Sequence, residues 1–152
     1  MKLLLRCSLL LALLTCSLPA LTLSTDENIT DAQVLAQLEL RAQQASPRDQ
    51  CYLYTDLVNR MTELAGRQML NGDIEQAAAT LKKVNEYAKL IHSSLAEKAK
   101  RLKNAEMLME RTTYRLGEYV HKASAEDRDT LNATLKQLNQ VHDELLAEVM
   151  KH

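Results

Sequence analysis

Glycine is scarce in this chain, three residues in 152. The Gly-rich phosphate loops and tight nucleophile turns of many enzymes are therefore missing, and so are His-Glu-x-x-His and any paired catalytic carboxylate setting. Catalytic chemistry is not expected. Cysteine is as rare. Cys7 and Cys16 fall in an N-terminal leader, which leaves Cys51 alone. A single thiol closes no internal disulfide, so small secreted scaffolds held by several bridges are excluded. Charge of one sign is not in excess either, the formal net charge being -1. Loss of the leader removes Lys2 and Arg6 and leaves 17 basic against 20 acidic residues, a net charge of -3 that gives nucleic-acid binding no support. No apolar run reaches the roughly 20 residues that a membrane-spanning helix needs, and no stretch alternates as a strand does.

The leader itself has a recognisable order. Met1, Lys2 and Arg6 give a positive start, Leu9 to Leu14 an apolar core, and Ser17-Leu18-Pro19-Ala20 a helix breaker ahead of a small residue. This predicts a signal peptide over 1–20, cut after Ala20 or Ser24, and export to a bacterial periplasm or exterior. Leu13-Leu14-Thr15-Cys16 also resembles a lipoprotein signal, but Thr15 stands where Gly, Ala or Ser is usual, so a lipid anchor at Cys16 is not the expectation. Residues 25–30 read as a loose polar start and 31–152 as one helical domain.

That domain is dominated by a heptad seam. Ile74, Ala77, Leu81, Val84, Ala88, Ile91, Leu95, Lys98, Leu102, Ala105, Met109, Thr112, Leu116 and Tyr119 alternate at three and four residues, with only Lys98 and Thr112 polar. The pattern predicts one continuous helix over about 74–121, about 69 Å long over its seam. His92-Ser93-Ser94 is its weak point, where Ser94 and Glu97 offer a second capping box and an alternative break. Three shorter helices surround the rod. Thr30-Asp31-Ala32-Gln33 caps a first helix from Asp31 to about Ala45; Ser46-Pro47-Arg48-Asp49 opens a second that Asn71-Gly72-Asp73 ends; Ser124 opens a fourth that runs to about Met150. The predicted fold is therefore all-α, an elongated antiparallel bundle of about four helices. Its second end has only two helices, so a homodimer is expected through helix four and residues 98–121, with Leu102, Met109, Leu116, Leu131, Leu138 and His142 as the interaction surface.

Candidate chemistry is sparse. Glu118-Tyr119-Val120-His121 has the Glu-x-x-His spacing of di-iron bundles, but such sites need two pairs and further carboxylates. His142 occupies an apolar seam position; it reads as a satisfied core residue, or as a pH switch whose charging would loosen the bundle. With His121 and His92 it forms the alternative reading, a metal- or haem-sensing bundle. The layout around His92 resembles the haem-bearing helix of a b-type cytochrome bundle, without the methionine that such a bundle carries on its first helix. Neither metal nor cofactor is the expectation. Met61, Met69, Met107, Met109 and Met150 read as core filler or as an adaptable client-binding surface. Lys98, Lys100, Arg101 and Lys103 form a basic run interleaved with Glu97 and Glu106, and read as a solvated face.

Two resemblances follow. Leu64, Ala65, Gly72, Asp73, Ala77 and Leu81 resemble part of one tetratricopeptide-like hairpin over 61–84, without a second copy. The stretches Ser46-Pro47-Arg48-Asp49-Gln50-Cys51-Tyr52-Leu53-Tyr54 and Arg101-Leu102-Lys103-Asn104-Ala105-Glu106-Met107-Leu108-Met109 resemble a family of small exported helical bacterial proteins, a likeness that implies no activity, cofactor or site. The expectation is a non-enzymatic exported scaffold that binds protein partners, a chaperone-like holder of unfolded clients being one form of it.

Overall fold

Thr30 caps the first helix. Its hydroxyl accepts the Gln33 N–H at 3.3 Å, while the Gln33 side chain accepts the Thr30 N–H at 3.0 Å, the reciprocal box foreseen from the residue spacing. Five helices follow: α1 Asp31–Gln44, α2 Pro47–Asn71, α3 Ile74–Ser94, α4 Leu102–Lys122 and α5 Ala125–Val149. The computed structural model describes residues 30–95 and 98–151, all-α and without a strand among them. The leader, its cleavage sites, Cys16 and most of the polar start lie outside the described residues.

The turns form as their residues dictate. Gly72 takes a left-handed conformation (φ 87°) and its N–H reaches the Met69 carbonyl at 3.0 Å, while the Asp73 N–H reaches that of Gln68 at 2.8 Å. That geometry suits glycine and returns α3 antiparallel to α2. Ser124 caps α5, accepting the Asp127 N–H at 3.2 Å and donating its own proton to the Asp127 carboxylate at 2.7 Å. Ser46 does not cap in this way. Its hydroxyl donates to Asp49 at 2.6 Å, and Pro47 needs no acceptor at the first helical position.

The expected rod over 74–121 is broken, which makes five helices instead of four. Ser93 and Ser94 turn their hydroxyls onto the carbonyls of Leu90 and Ile91 at 3.0 and 2.8 Å and use up acceptors in the last turn of α3. Beyond it Lys98 (φ 53°) and Arg101 (φ 55°) are left-handed, a conformation no helix interior holds. Each such residue costs about 1–2 kcal/mol. Against this, every large apolar side chain that the reversal buries contributes about 1.5–3 kcal/mol, and Met109, Leu116, Leu131, Leu138 and Leu145 all become fully buried. Burial outweighs strain.

The reversal sets the topology. α2 packs on α1, α3 and α4, and α5 on α3 and α4, so α3 and α4 occupy diagonal corners of a four-helix bundle. Arg48 at the start of α2 bonds to residues just before α4, and Gly66 near the end of α2 lies under Tyr119 near the end of α4; these two helices are parallel. Asn85–Thr134 and His92–Glu144 contacts likewise make α3 and α5 parallel. One core unites all five helices, centred on Leu57, Leu81, Ile91, Met109, Leu116, Leu131, Leu138 and Leu145. A polar layer crosses its middle, where Asn59 donates to Thr112 at 2.9 Å and Asn85 to Thr134 at 3.2 Å. These bonds tie α2 to α4 and α3 to α5, and fix the register of the two hairpins in the way a core Asn fixes a coiled coil.

Candidate functional site

The two outer grooves of the bundle are unlike. α1 lies along the α2/α3 hairpin, with Leu38 and Ala42 buried and the Tyr87 hydroxyl bonded to Glu39; burial first, and then that carboxylate, push the Tyr87 phenol above its ordinary value. Among the described residues nothing covers the α4/α5 hairpin. Its outer groove, about 600 Å³, is lined by Met107, Glu110, Arg111, Thr113, Tyr114, Leu135 and Asn139. Met107 is 52% exposed and Tyr114 71%. The other four tyrosines, Tyr52, Tyr54, Tyr87 and Tyr119, are buried or half-buried.

A second feature lies at the end where α3 passes into α4. The Arg48 Nε–H donates to the Lys98 carbonyl at 3.3 Å, and the Lys100 N–H donates to the Arg48 carbonyl at 2.7 Å, so the start of α2 holds the left-handed turn in place. Asp49 accepts from Ser46 and, at 3.2 Å, from Lys100; the Ser46 bond and then the ammonium hold its carboxyl below the usual range. Arg101 stacks on the Tyr52 ring at 3.5 Å. Of these residues Ser46, Asp49, Tyr52 and Arg101 line, with the last turns of α1, a groove of about 510 Å³. Of the basic run read as an ordinary solvated face, Lys100 and Arg101 are thus engaged at a built turn, Lys100 with Asp49 and Arg101 on Tyr52, a grouping that needed α2 beside it and had no signal in local spacing.

The sequence-derived sites fare unevenly. Met109, Leu116, Leu131 and Leu138, expected to meet a second copy, are buried against α2, α3 and each other within one chain, and Leu102 is half-buried. The bare two-helix end that called for a dimer does not exist, because α4 and α5 fold back onto α2 and α3. Glu118 and His121 sit near the end of α4, half-buried and exposed respectively. His142 lies instead near the start of α4, its Nε2 3.1 Å from Glu106 Oε1. Fifteen residues of helix separate Glu106 from His121, about 22 Å, too far for one metal. His92 pairs with Glu144 at 2.6 Å on the other flank of α5. Among the described residues no three His, Cys, Asp or Glu side chains converge on a common point. The switch reading of His142 also loses its premise: the side chain is 20% exposed and faces a carboxylate, so a charged imidazole would be met by an opposite charge, not by an apolar seam.

Met61 and Met109 are core, Met69 is half-buried, and Met107 and Met150 are exposed. Cys51 is fully buried and its thiol is pushed up to about 11 by that burial, with the nearby Ser94 hydroxyl working the other way. No helix of the described residues is long and apolar enough to cross a membrane. Comparison with protein-family models, with curated proteins and with solved structures found no match.

Proposed function

We propose that the protein is a non-catalytic exported helical module that works by binding another protein, and that the α4/α5 groove receives an amphipathic helix of that partner. One observation carries the reading. The chain itself supplies a helix, α1, to the outer groove of its first hairpin, and leaves the equivalent groove of its second open with Met107 and Tyr114 exposed. Tyr, Met and Arg are the residue types enriched in protein interfaces, and an apolar helix face laid into a groove between two helices is a recurrent recognition mode. Export rests on the leader over residues 1–20, and a bacterial periplasm or exterior is the location it supports.

A photo-crosslinking residue at position 114, with a control at position 75 on α3, tests this. A discrete adduct at 114 only, whose purified partner binds the wild type and is lost with Met107→Glu and Tyr114→Glu, supports the reading. No adduct specific to 114 refutes it. A crosslink between two copies of the chain replaces it with a homodimer through this face, which sedimentation would confirm.

A further inference from the structure

The groove at the α3–α4 passage is built from three elements and lined by two arginines that no free carboxylate opposes among the described residues. Arg41 comes from the last turn of α1 and Arg101 from the left-handed residue before α4. Asp49 is the acid among the lining residues, and it is already engaged by Ser46 and Lys100. Among the described residues neither the Arg41 nor the Arg101 guanidinium has an ion-pair or hydrogen-bond partner. Arg101 is nonetheless held: its guanidinium lies 3.5 Å over the Tyr52 ring, an arrangement that fixes the plane and leaves the N–H donors at its edge unspent. A positioned fork of donors with no acceptor is what a carboxylate fits bidentately.

Shape decides what kind of anion. Along α1 the lining runs from Gln37 to Gln44, two turns of helix or about 10 Å, and Leu40, 54% exposed, lies among the polar groups. A single phosphate or sulfate would occupy a small part of about 510 Å³ and leave that leucine wet. An extended chain carrying acidic and apolar side chains covers both.

We infer that this groove binds an acidic, leucine-containing peptide segment of a partner protein, with Arg41 and Arg101 taking its carboxylates and Leu40 its apolar side chains. The inference rests on the protein-binding reading for its class of partner but uses a separate surface. Failure here leaves the crosslink at position 114 untouched, and failure of that crosslink leaves this groove testable alone.

The test is titration of the full exported chain with a labelled, end-blocked peptide of alternating Glu and Leu, beside the same peptide with Gln for Glu and beside inorganic phosphate. The Glu peptide is expected to bind, and to bind about tenfold more weakly to Arg41→Gln and to Arg101→Gln, the loss expected for one charge-assisted contact. Binding should also weaken as salt is raised from 50 to 300 mM. Tyr52→Leu, which removes the ring beneath Arg101, should weaken it less. Lys82→Gln, exposed on α3, should leave it unchanged, and the melting temperatures of the exposed Arg variants should match the wild type. Equal binding of the Gln peptide, loss with neither Arg variant, or no binding at all overturns the proposal. Phosphate binding as tightly as the peptide overturns it in favour of a small oxyanion site.

Discussion

The two hairpins of this bundle share a core and differ on their outer sides. α2/α3 carries α1, which brings Leu38 and Ala42 into the core and takes Leu35 and Ala45 against its edge; α4/α5 carries no further helix among the described residues and keeps Met107 and Tyr114 in water. Inside they are matched, each giving one polar residue to the middle layer at every contact, Asn59 to Thr112 and Asn85 to Thr134. Interior packing therefore fixes the bundle, and the outer grooves are where the protein is free to differ. A covered groove spends its apolar surface on stability. An open one leaves that surface in water.

The sharpest way to break the comparison is to attack the shared interior. Leu116→Ala removes a fully buried side chain and should cost about 2–5 kcal/mol, read as a lowered midpoint in urea unfolding with little change in slope. Next comes the contact that brings α4 against α2. A Cβ built on Gly66 would lie 2.1 Å from Tyr119 Cζ, so Gly66→Ala should destabilise by about 1–3 kcal/mol, and pairing it with Tyr119→Leu should recover part of the loss. If Gly66→Ala is neutral, α2 and α4 do not sit as described.

Smaller effects separate the grooves. Ala42→Asp places a carboxylate where α1 meets α2 and should free α1, detected as new protease cleavage within residues 31–44 while the four-helix core persists. Tyr114→Ser on the open side should stay within about 0.5 kcal/mol of wild type, since a ring 71% exposed contributes little to the fold. Smallest in stability terms is Cys51. With its thiol pushed up to about 11, reaction with a disulfide reagent at pH 8 should be very slow in the native protein and become fast only on unfolding. Fast native labelling would mean that the start of α2 opens locally.

Helix identity was largely legible in the chain. Thr30 with Gln33, Pro47, Gly72 and Ser124 mark ends through local chemistry that acts over three or four residues, and the helices begin and end there. The middle was not. Ile91, Leu95, Lys98 and Leu102 keep the heptad phase through the break, because α3 and α4 both turn their seams to one core. Periodicity reports which side is buried and is blind to whether the axis continues. The serines at 93 and 94 were the local sign of the stop, and the left-handed residues beyond them have no preference for that conformation written in their type.

Site residues followed the same division. The seam leucines and Met109 were correctly read as an apolar face, but whether that face meets another copy or the same chain depends on where the turn at 95–101 sends α4. The basic run was visible as charge, yet the meeting of its Arg101 with Arg41 and Tyr52 comes from three elements far apart in the chain. Gly66 gave no signal, since its use is to let a ring 53 residues away lie flat on α2.

The sequence by itself determined the helical class, the caps, the tight turns at Gly72 and Ser124 and the buried face of each helix, because those follow from hydrogen bonding and apolar spacing within a few residues. Only the tertiary structure decided that the long seam folds in two, that α2 runs parallel to α4, and that one outer groove is filled and the other open. Those outcomes depend on burial summed over distant segments, which no local pattern records.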